Sequence, residues 1–173
     1  RETAMGFCFF GNVALAAKYA LDHHGLKRVA IVDFDVHHGN GTQDLVESDS
    51  RIFFASSHQM PLYPGTGHAH ETGGHANVMN CPLPEGAGSK AFRDVMEAAI
   101  LPAVDRWAPE LLLISAGFDA HKADPLAGMA LTEMDFAWVT ERLCELASKH
   151  CQGRVVSCLE GGYDLEALAA SAV

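Results

Sequence analysis

The sequence predicts an α/β fold built on a mainly parallel sheet. The apolar runs Val29-Ala30-Ile31-Val32, Leu111-Leu112-Leu113-Ile114 and Val155-Val156-Ser157-Cys158-Leu159 are hydrophobic at successive positions, the pattern of strands covered on both faces. Segments with apolar residues at helical spacing alternate with them. Each run also ends in a cluster of polar residues, and open parallel sheets bind ligands outside the carboxyl ends of their strands. A length of 173 residues fits one domain with a sizeable core, and no internal repeat, low-complexity tract or linker divides it.

The elements follow in order. Val13, Ala16, Ala17, Ala20 and His24 mark a first helix, with Asn12 as its N-cap and Gly25 as its stop. A buried strand spans Arg28 to Phe34, and a second spans Arg51 to Ser56. Residues 58–76 form a long loop, because Pro61, Pro64, Gly65, Gly67, Gly73 and Gly74 exclude regular structure. Val78 to Cys81 is a short strand. Ser89 caps a long helix whose face is Phe92, Val95, Met96, Ala99, Ile100 and Ala103, and Pro102 predicts a kink in it. The third strong strand is Leu111 to Ser115. Thr132 and Asp135 have the spacing of a capping box for a helix carrying Phe136, Val139, Leu143, Leu146 and Ala147. Val155 to Leu159 is the fourth, and a last helix starts near Asp164.

Composition narrows the function classes. The chain is 49% hydrophobic and 20% charged, with a formal net charge of −10 and a pI near 5.3. That charge opposes binding to nucleic acid through phosphate contacts and leaves cationic substrates open. No apolar stretch approaches the ~20 residues a membrane crossing takes. The five cysteines, Cys8, Cys81, Cys144, Cys151 and Cys158, include no C-x-x-C pair, which fits reduced thiols in a cytoplasmic compartment.

The chemistry collects at three strand ends. The first carries Asp33-Phe34-Asp35-Val36-His37-His38-Gly39-Asn40-Gly41, the second Ala116-Gly117-Phe118-Asp119-Ala120-His121, the third Glu160-Gly161-Gly162-Tyr163-Asp164. Buried carboxylates are unfavourable unless something pairs with them, and a bound cation is the simplest partner. Asp35 and His37 are two apart, so an extended segment presents both on one side. With Asp119 they make one imidazole and two carboxylates, a set suited to Zn²⁺ with a coordination position left for water or substrate. Asp33 shares their side but sits deeper, where it serves a second ion or supports the first. The plain alternatives are an Asx turn with a satisfied histidine at Asp35/His37, a turn residue at Asp119, and an aromatic packed over a Gly-Gly turn at Tyr163. His38 faces away and reads as packing. His23 and His24 close a helix, His68, His70 and His75 lie in the loop, His121 is ambiguous, and His150 is a surface residue.

Five segments together resemble the zinc-dependent histone deacetylase family, which includes bacterial acetylpolyamine amidohydrolases and acetoin-utilisation proteins. They are Met5-Gly6-Phe7-Cys8, Asp33 to Gln43, Tyr63-Pro64-Gly65-Thr66-Gly67, Ser115 to Ala120, and Leu159-Glu160-Gly161-Gly162-Tyr163. The last has the class II form. The resemblance runs from end to end and in order. It implies a three-layer arginase/deacetylase fold, with residues 1–173 as a single partial domain whose N-terminal portion and C-terminal end lie elsewhere. It also implies hydrolysis of an acetyl-amide, in an acetylated lysine peptide or an acetylpolyamine, to acetate and amine.

Carried across residue by residue, the resemblance makes Asp35, His37 and Asp119 the ligands of a catalytic Zn²⁺. Tyr163 steadies the oxyanion, and Phe7, Tyr63, Gly161 and Gly162 line the substrate tunnel. Tyr63 stands where the family more often has Phe, which makes the tunnel slightly more polar. A structural K⁺ takes Asp33, the backbone of Asp35 and His37, and Ser56 and Ser57. The family's general base is a tandem His pair just ahead of the Met-Gly-Phe-Cys motif. Here the pair would precede Arg1, so the fragment alone is expected to be inactive. Two other readings share these residues. One is an arginase-type ureohydrolase, which needs a further carboxylate near His37, where Asn40 is a poor substitute. The other is a metal-containing binding domain without turnover.

Overall fold

The computed structural model describes residues 3–172. Five parallel strands form one sheet in the order β3-β2-β1-β4-β5. They are β1 (Val29–Asp33), β2 (Ile52–Gln59), β3 (Val78–Leu83), β4 (Leu111–Ala116) and β5 (Val155–Leu159). The helices are α1 (Asn12–His23), α2 (Asn40–Val46), α3 (Ser89–Val95), α4 (Leu101–Trp107), α5 (Glu133–His150) and α6 (Leu165–Ser171). The architecture is the three-layer one expected, with the sheet between two helical layers.

Strand alternation divides the core in two. Val29 and Ile31 of β1, Ile52 and Phe54 of β2 and Leu113 of β4 pack against Val13, Ala14, Ala17 and Leu21 of α1. Ala30, Val32, Phe53, Ala55, Leu112 and Ile114 point the other way, onto Phe92, Met96, Phe136, Val139 and Leu143 of α3 to α5. Every residue of β1 and β2 is buried, which is why β1 reads as a continuous apolar run up to Asp33, while the second half of β2, Ser56-Ser57-His58-Gln59, is polar and buried.

Five local features differ from the sequence reading. Strand β2 continues through His58 and Gln59, paired with Pro82 and Leu83 of β3, so the expected loop begins only after them. Gly11, not Asn12, is the N-cap of α1, and no side chain caps that helix. The segment Asn40–Val46 forms the short helix α2, for which the sequence offers only a brief apolar pair, Leu45 and Val46. The helix around Pro102 does not simply kink there. A π-helical turn over Met96–Ile100 separates α3 from α4, in which Pro102 occupies the first turn. Proline cannot donate to the carbonyl of Ala98 and its ring would crowd it, so the backbone widens just upstream. Ser89 begins α3 rather than capping it, and its hydroxyl donates to Asp135 Oδ2 at 2.7 Å.

The capping box at Thr132 and Asp135 forms as its spacing predicts, and Asp164 caps α6 by accepting from Ala167 N at 2.8 Å. β5 departs from the others in burial. Val156 and Leu159 are 49% and 63% exposed and, three positions apart, stand on opposite faces of this edge strand, so both faces are only partly covered among the described residues.

The strand order reverses direction between β1 and β4. Chain connections leave β1 toward β2 and β3 on one side, and β4 and β5 lie on the other. Such a switch point opens a crevice at the carboxyl ends of the two neighbouring strands. Asp33 to His37 continue from β1 into that crevice, and Gly117 to Asp119 continue from β4.

Candidate metal centre

Asp35, His37 and Asp119 meet in this crevice, each with a ligand atom within 4.8 Å of the others'. His37 Nδ1 stands 3.2 Å from Asp35 Oδ1 and 3.0 Å from Asp119 Oδ2. Asp119 is fully buried and Asp35 nearly so.

Backbone donors aim these groups. Asp33 Oδ1 accepts from Asp35 N at 3.0 Å, and Asp35 Oδ1 accepts from His37 N at 2.8 Å. Two successive Asx turns thus carry the chain from the end of β1 into the crevice. Asp35 Oδ2 accepts from Gly161 N at 2.8 Å, and Asp119 Oδ1 accepts from Val36 N at 3.0 Å. Each carboxylate is left with a lone-pair direction toward the shared centre.

Glycines make the approach possible. A methyl group on Gly161 would lie 2.1 Å from Asp119 Oδ2, and one on Gly117 would lie 2.2 Å from Asp35 Oδ2. Gly161 therefore packs directly against the carboxylates. Nothing in the sequence marks Gly117, because only the folded chain reveals what its missing Cβ would strike. Phe7 and Tyr63 are 86% and 53% exposed. The Tyr63 ring lies 6.3 Å from that of His37, and Phe7 meets Tyr163 edge-on at 6.1 Å. The three aromatic rings thus stand on the open side of the centre.

The electrostatics are those of a site short of positive charge. Burial, with the charge of Asp35, raises Asp33 well above the usual carboxylate range. Asp119 is also raised, mainly by burial. Glu160, half-buried, accepts from Ser115 Oγ at 2.8 Å and is raised by burial and by Asp35 and Asp119. Hydrogen bonds to Asp119 and Asp35 push His37 up to about 10, against the opposing effect of burial. A proton on His37 thus takes the place a cation would fill. Burial and the Asp119 and Asp35 charges push the Tyr163 phenol up to about 12. Two carboxylates and an imidazole, with ligand atoms within 4.8 Å of one another, fit a Zn²⁺ site with an open position.

Behind the centre, Asp33, Ser56 and Ser57 are buried, and Asp33 is the strand partner of Ser56. His38 is buried in a polar network. Its Nε2 donates to Gln43 Oε1 at 2.9 Å, and its Nδ1 accepts from the Thr66 hydroxyl at 2.8 Å. His58 Nε2 donates to Gly67 O at 2.9 Å, which leaves Nδ1 to accept from Ser56 Oγ at 2.9 Å. Burial and the neighbouring His38 lower His58 to about 4, so it is neutral.

The remaining histidines stand apart from the centre. His23 and His24 pack on Tyr19, His68 stacks on His70, and His75 is exposed. His121 accepts from Ala123 N at 3.1 Å, and His150 meets Asp105 at 2.6 Å. Asn40 brings no carboxylate to His37 and donates to Met5 Sδ at 3.5 Å.

A histone deacetylase domain model matches residues 1–173. The chain belongs to the histone deacetylase family. This histone deacetylase domain is 51% identical over 173 residues to "Histone deacetylase 10, chloroplastic" of Oryza sativa subsp. japonica, covering 98% of the chain and 39% of that protein. It is 41% identical over 166 residues to "Histone deacetylase-like amidohydrolase" of Pseudomonas aeruginosa, covering 94% and 44%. The crystal structure of the HDA15 HD domain superposes with a TM-score of 0.91 at 39% identity, covering 98% of this chain and 48% of that one. The chain thus spans less than half the length of each of these relatives. Among the described residues no helix is long and apolar enough to cross a membrane.

Proposed function

We propose that the protein carrying this domain hydrolyses an acetyl-amide, in an acetylated lysine peptide or an acetylpolyamine, to acetate and free amine. The observation that carries this reading is the convergence of Asp35, His37 and Asp119 beside Tyr163 at the β1/β4 switch point. Asp35, His37 and Asp119 would hold Zn²⁺. When bound, the ion supplies Lewis-acid polarisation of the amide carbonyl and activation of a water.

The chain's own residues do the rest. With its pKa pushed up to about 12, Tyr163 keeps its proton at neutral pH and donates it as a hydrogen bond to the developing oxyanion. Phe7 and Tyr63 flank the acyl-lysine or polyamine arm, and the backbone at Gly161 and Gly162 lets it pass close. The general base comes from the tandem His pair that the family carries ahead of its Met-Gly-Phe-Cys motif. Among the described residues, His37 is the one imidazole that joins the cluster.

A structural K⁺ beneath the centre would take Asp33, the backbone of Asp35 and His37, and Ser56 and Ser57. The Ser56 hydroxyl proton points to His58, so the lone pairs of Ser56 Oγ are free for a cation. The buried Asp33 carboxylate supplies the charge such an ion needs. A cytoplasmic location remains part of this reading, although the rice relative is chloroplastic by name.

The test is an assay of the complete protein on acetyl-lysine peptides and on acetylpolyamines, with metal content measured. Acetate release that is lost on chelation and restored by Zn²⁺ is the expected result. Zinc-loaded protein that cleaves neither class overturns the reading.

A further inference from the structure

The turn that carries Tyr163 leaves the sheet after β5 and, among the described residues, has no strand beside it. Individual hydrogen bonds hold it instead. Glu160 N donates to Ala116 O at 2.9 Å, and Gly161 O accepts from Phe118 N at 2.8 Å. Gly161 N donates to Asp35 Oδ2 at 2.8 Å. Gly162 follows with φ +137°, a conformation that side chains rarely adopt. The torsional freedom of that glycine would uncouple Tyr163 from these anchors unless something fixed the far side.

Asp124 does so. Its Oδ2 accepts from Tyr163 N at 2.8 Å, and its Oδ1 accepts from Leu126 N at 2.9 Å. The side chain is 8% exposed. Its own segment is tied down, with Asp124 N donating to His121 O at 2.9 Å and Lys122 N to Leu131 O at 2.9 Å. Both oxygens are used by backbone donors, so a carboxylate satisfies the site and an amide would turn an N–H₂ toward one of them. Asp124 joins neither the metal-ligand set nor the sheet.

We propose that Asp124 is a positioning residue for Tyr163, setting where the phenol stands relative to Asp35, His37 and Asp119 by holding the Tyr163 N–H. It couples the loop after β4 to the turn after β5, so the strand end that brings Asp119 is registered to the one that brings Tyr163. This rests on the reading of Tyr163 as the group that steadies the oxyanion. A displaced hydrogen-bond donor is far less effective at a developing charge, and a misplacement of about 1 Å can cost about a hundredfold in rate.

The experiment uses the complete, zinc-loaded protein with Asp124→Ala, Asp124→Asn, Tyr163→Phe and the double variant Asp124→Ala/Tyr163→Phe. Asp124→Ala should lower kcat about ten- to a hundredfold while KM and zinc content stay nearly unchanged. Asp124→Asn, which keeps one acceptor, should fall between it and the parent. In the Tyr163→Phe background the Asp124 substitution should have no further effect, because the group it positions is gone. Equal losses in both backgrounds overturn the proposal, since general destabilisation acts on either one.

Amide hydrogen exchange supplies a readout independent of turnover. The Tyr163 amide should exchange faster in Asp124→Ala, or in Asp124→Asn should the alanine variant not fold, with the Gly161 amide unchanged. Unaltered Tyr163 exchange overturns the proposal. Faster exchange at Tyr163 in a protein that cleaves no acetyl-amide upholds the link and removes the functional reading instead.

Discussion

Gly161 and Asp119 approach so closely that a single methyl group on the glycine would lie 2.1 Å from Asp119 Oδ2 and 2.7 Å from Asp35 Oδ2. Neither carboxylate has room to retreat. Asp119 is fully buried, and Asp35 Oδ2 is already bound to Gly161 N. Gly161→Ala should therefore displace both carboxylates and weaken metal binding, leaving the helical content intact. Zinc titration with circular dichroism checks this, and unchanged zinc affinity would contradict the packing described.

Asp119→Ala removes one of the two carboxylates at the centre and its hydrogen bond to Val36 N. The complete protein should lose both zinc and acetyl-amide hydrolysis. Normal zinc content in that variant, measured by atomic spectroscopy, would remove Asp119 from the ligand set.

Tyr163→Phe keeps the ring that meets Phe7 and deletes the donor. Zinc content should be unchanged, with kcat reduced about a hundred- to a thousandfold, the usual loss when one oxyanion donor is removed. Steady-state kinetics on an acetyl-lysine peptide decide it, and equal kcat values would dismiss the role.

His37 makes metal uptake pH-dependent. In the metal-free site its pKa is pushed up to about 10, so at pH 7 the ring carries a proton that a metal must displace. Apparent zinc affinity should rise with pH by about tenfold per unit up to that range. In the metal-free protein the same shift stabilises the fold fully below the unfolded value of 6.5, and that contribution fades as pH rises toward 10. Calorimetric zinc titrations in buffers of different ionisation enthalpy will show about one proton released per ion, and no release would contradict the charge state.

Asp135 ties α3 to α5. It is fully buried and accepts from Ser89 Oγ, Thr132 N and Arg93 Nε at 2.7, 3.0 and 2.8 Å. Burial opposes its ionisation, yet these donors outweigh burial and lower its pKa. Its contribution is therefore present above the unfolded carboxylate range and is lost as pH falls through the depressed folded value. Asp135→Ala should destabilise by about 1.5–3 kcal/mol, the scale for losing hydrogen bonds to a charged group whose partner Arg93 stays in reach of water. Urea denaturation at pH 7 measures it, and a loss below about 1 kcal/mol, the scale of a single neutral hydrogen bond, would argue against the network.

Much of the centre was legible because strands and strand ends obey simple rules. Asp35 and His37 share a side by their spacing, and the strand-end rule brought Asp119 to them across the sheet. Gly117 and Asp124 are silent in the sequence for a common reason. One acts through an atom it lacks and the other through a carboxylate bonded to backbone, and neither leaves a periodic trace. Helix α2 is short and contains Gly41, so its pattern is too brief to read. Pro102 announced a distortion, but a missing donor does not say whether the backbone answers by bending or by widening into a π turn. The Val155–Leu159 run looks buried by composition, and its exposure depends on what packs over it, which no local pattern encodes.

The two sides of the centre come from distant parts of the chain, His37 and Asp119 being 82 positions apart. An unfolded chain has no such site to offer. A cation held there would act as a removable cross-link closing that loop, bound by the native state and almost absent from the unfolded one. At a hundredfold excess over its dissociation constant it would add about 2.7 kcal/mol by mass action alone. The melting temperature would then follow the free zinc concentration. Chelation would loosen the clasp between β1 and β4 as well as silencing the chemistry it serves.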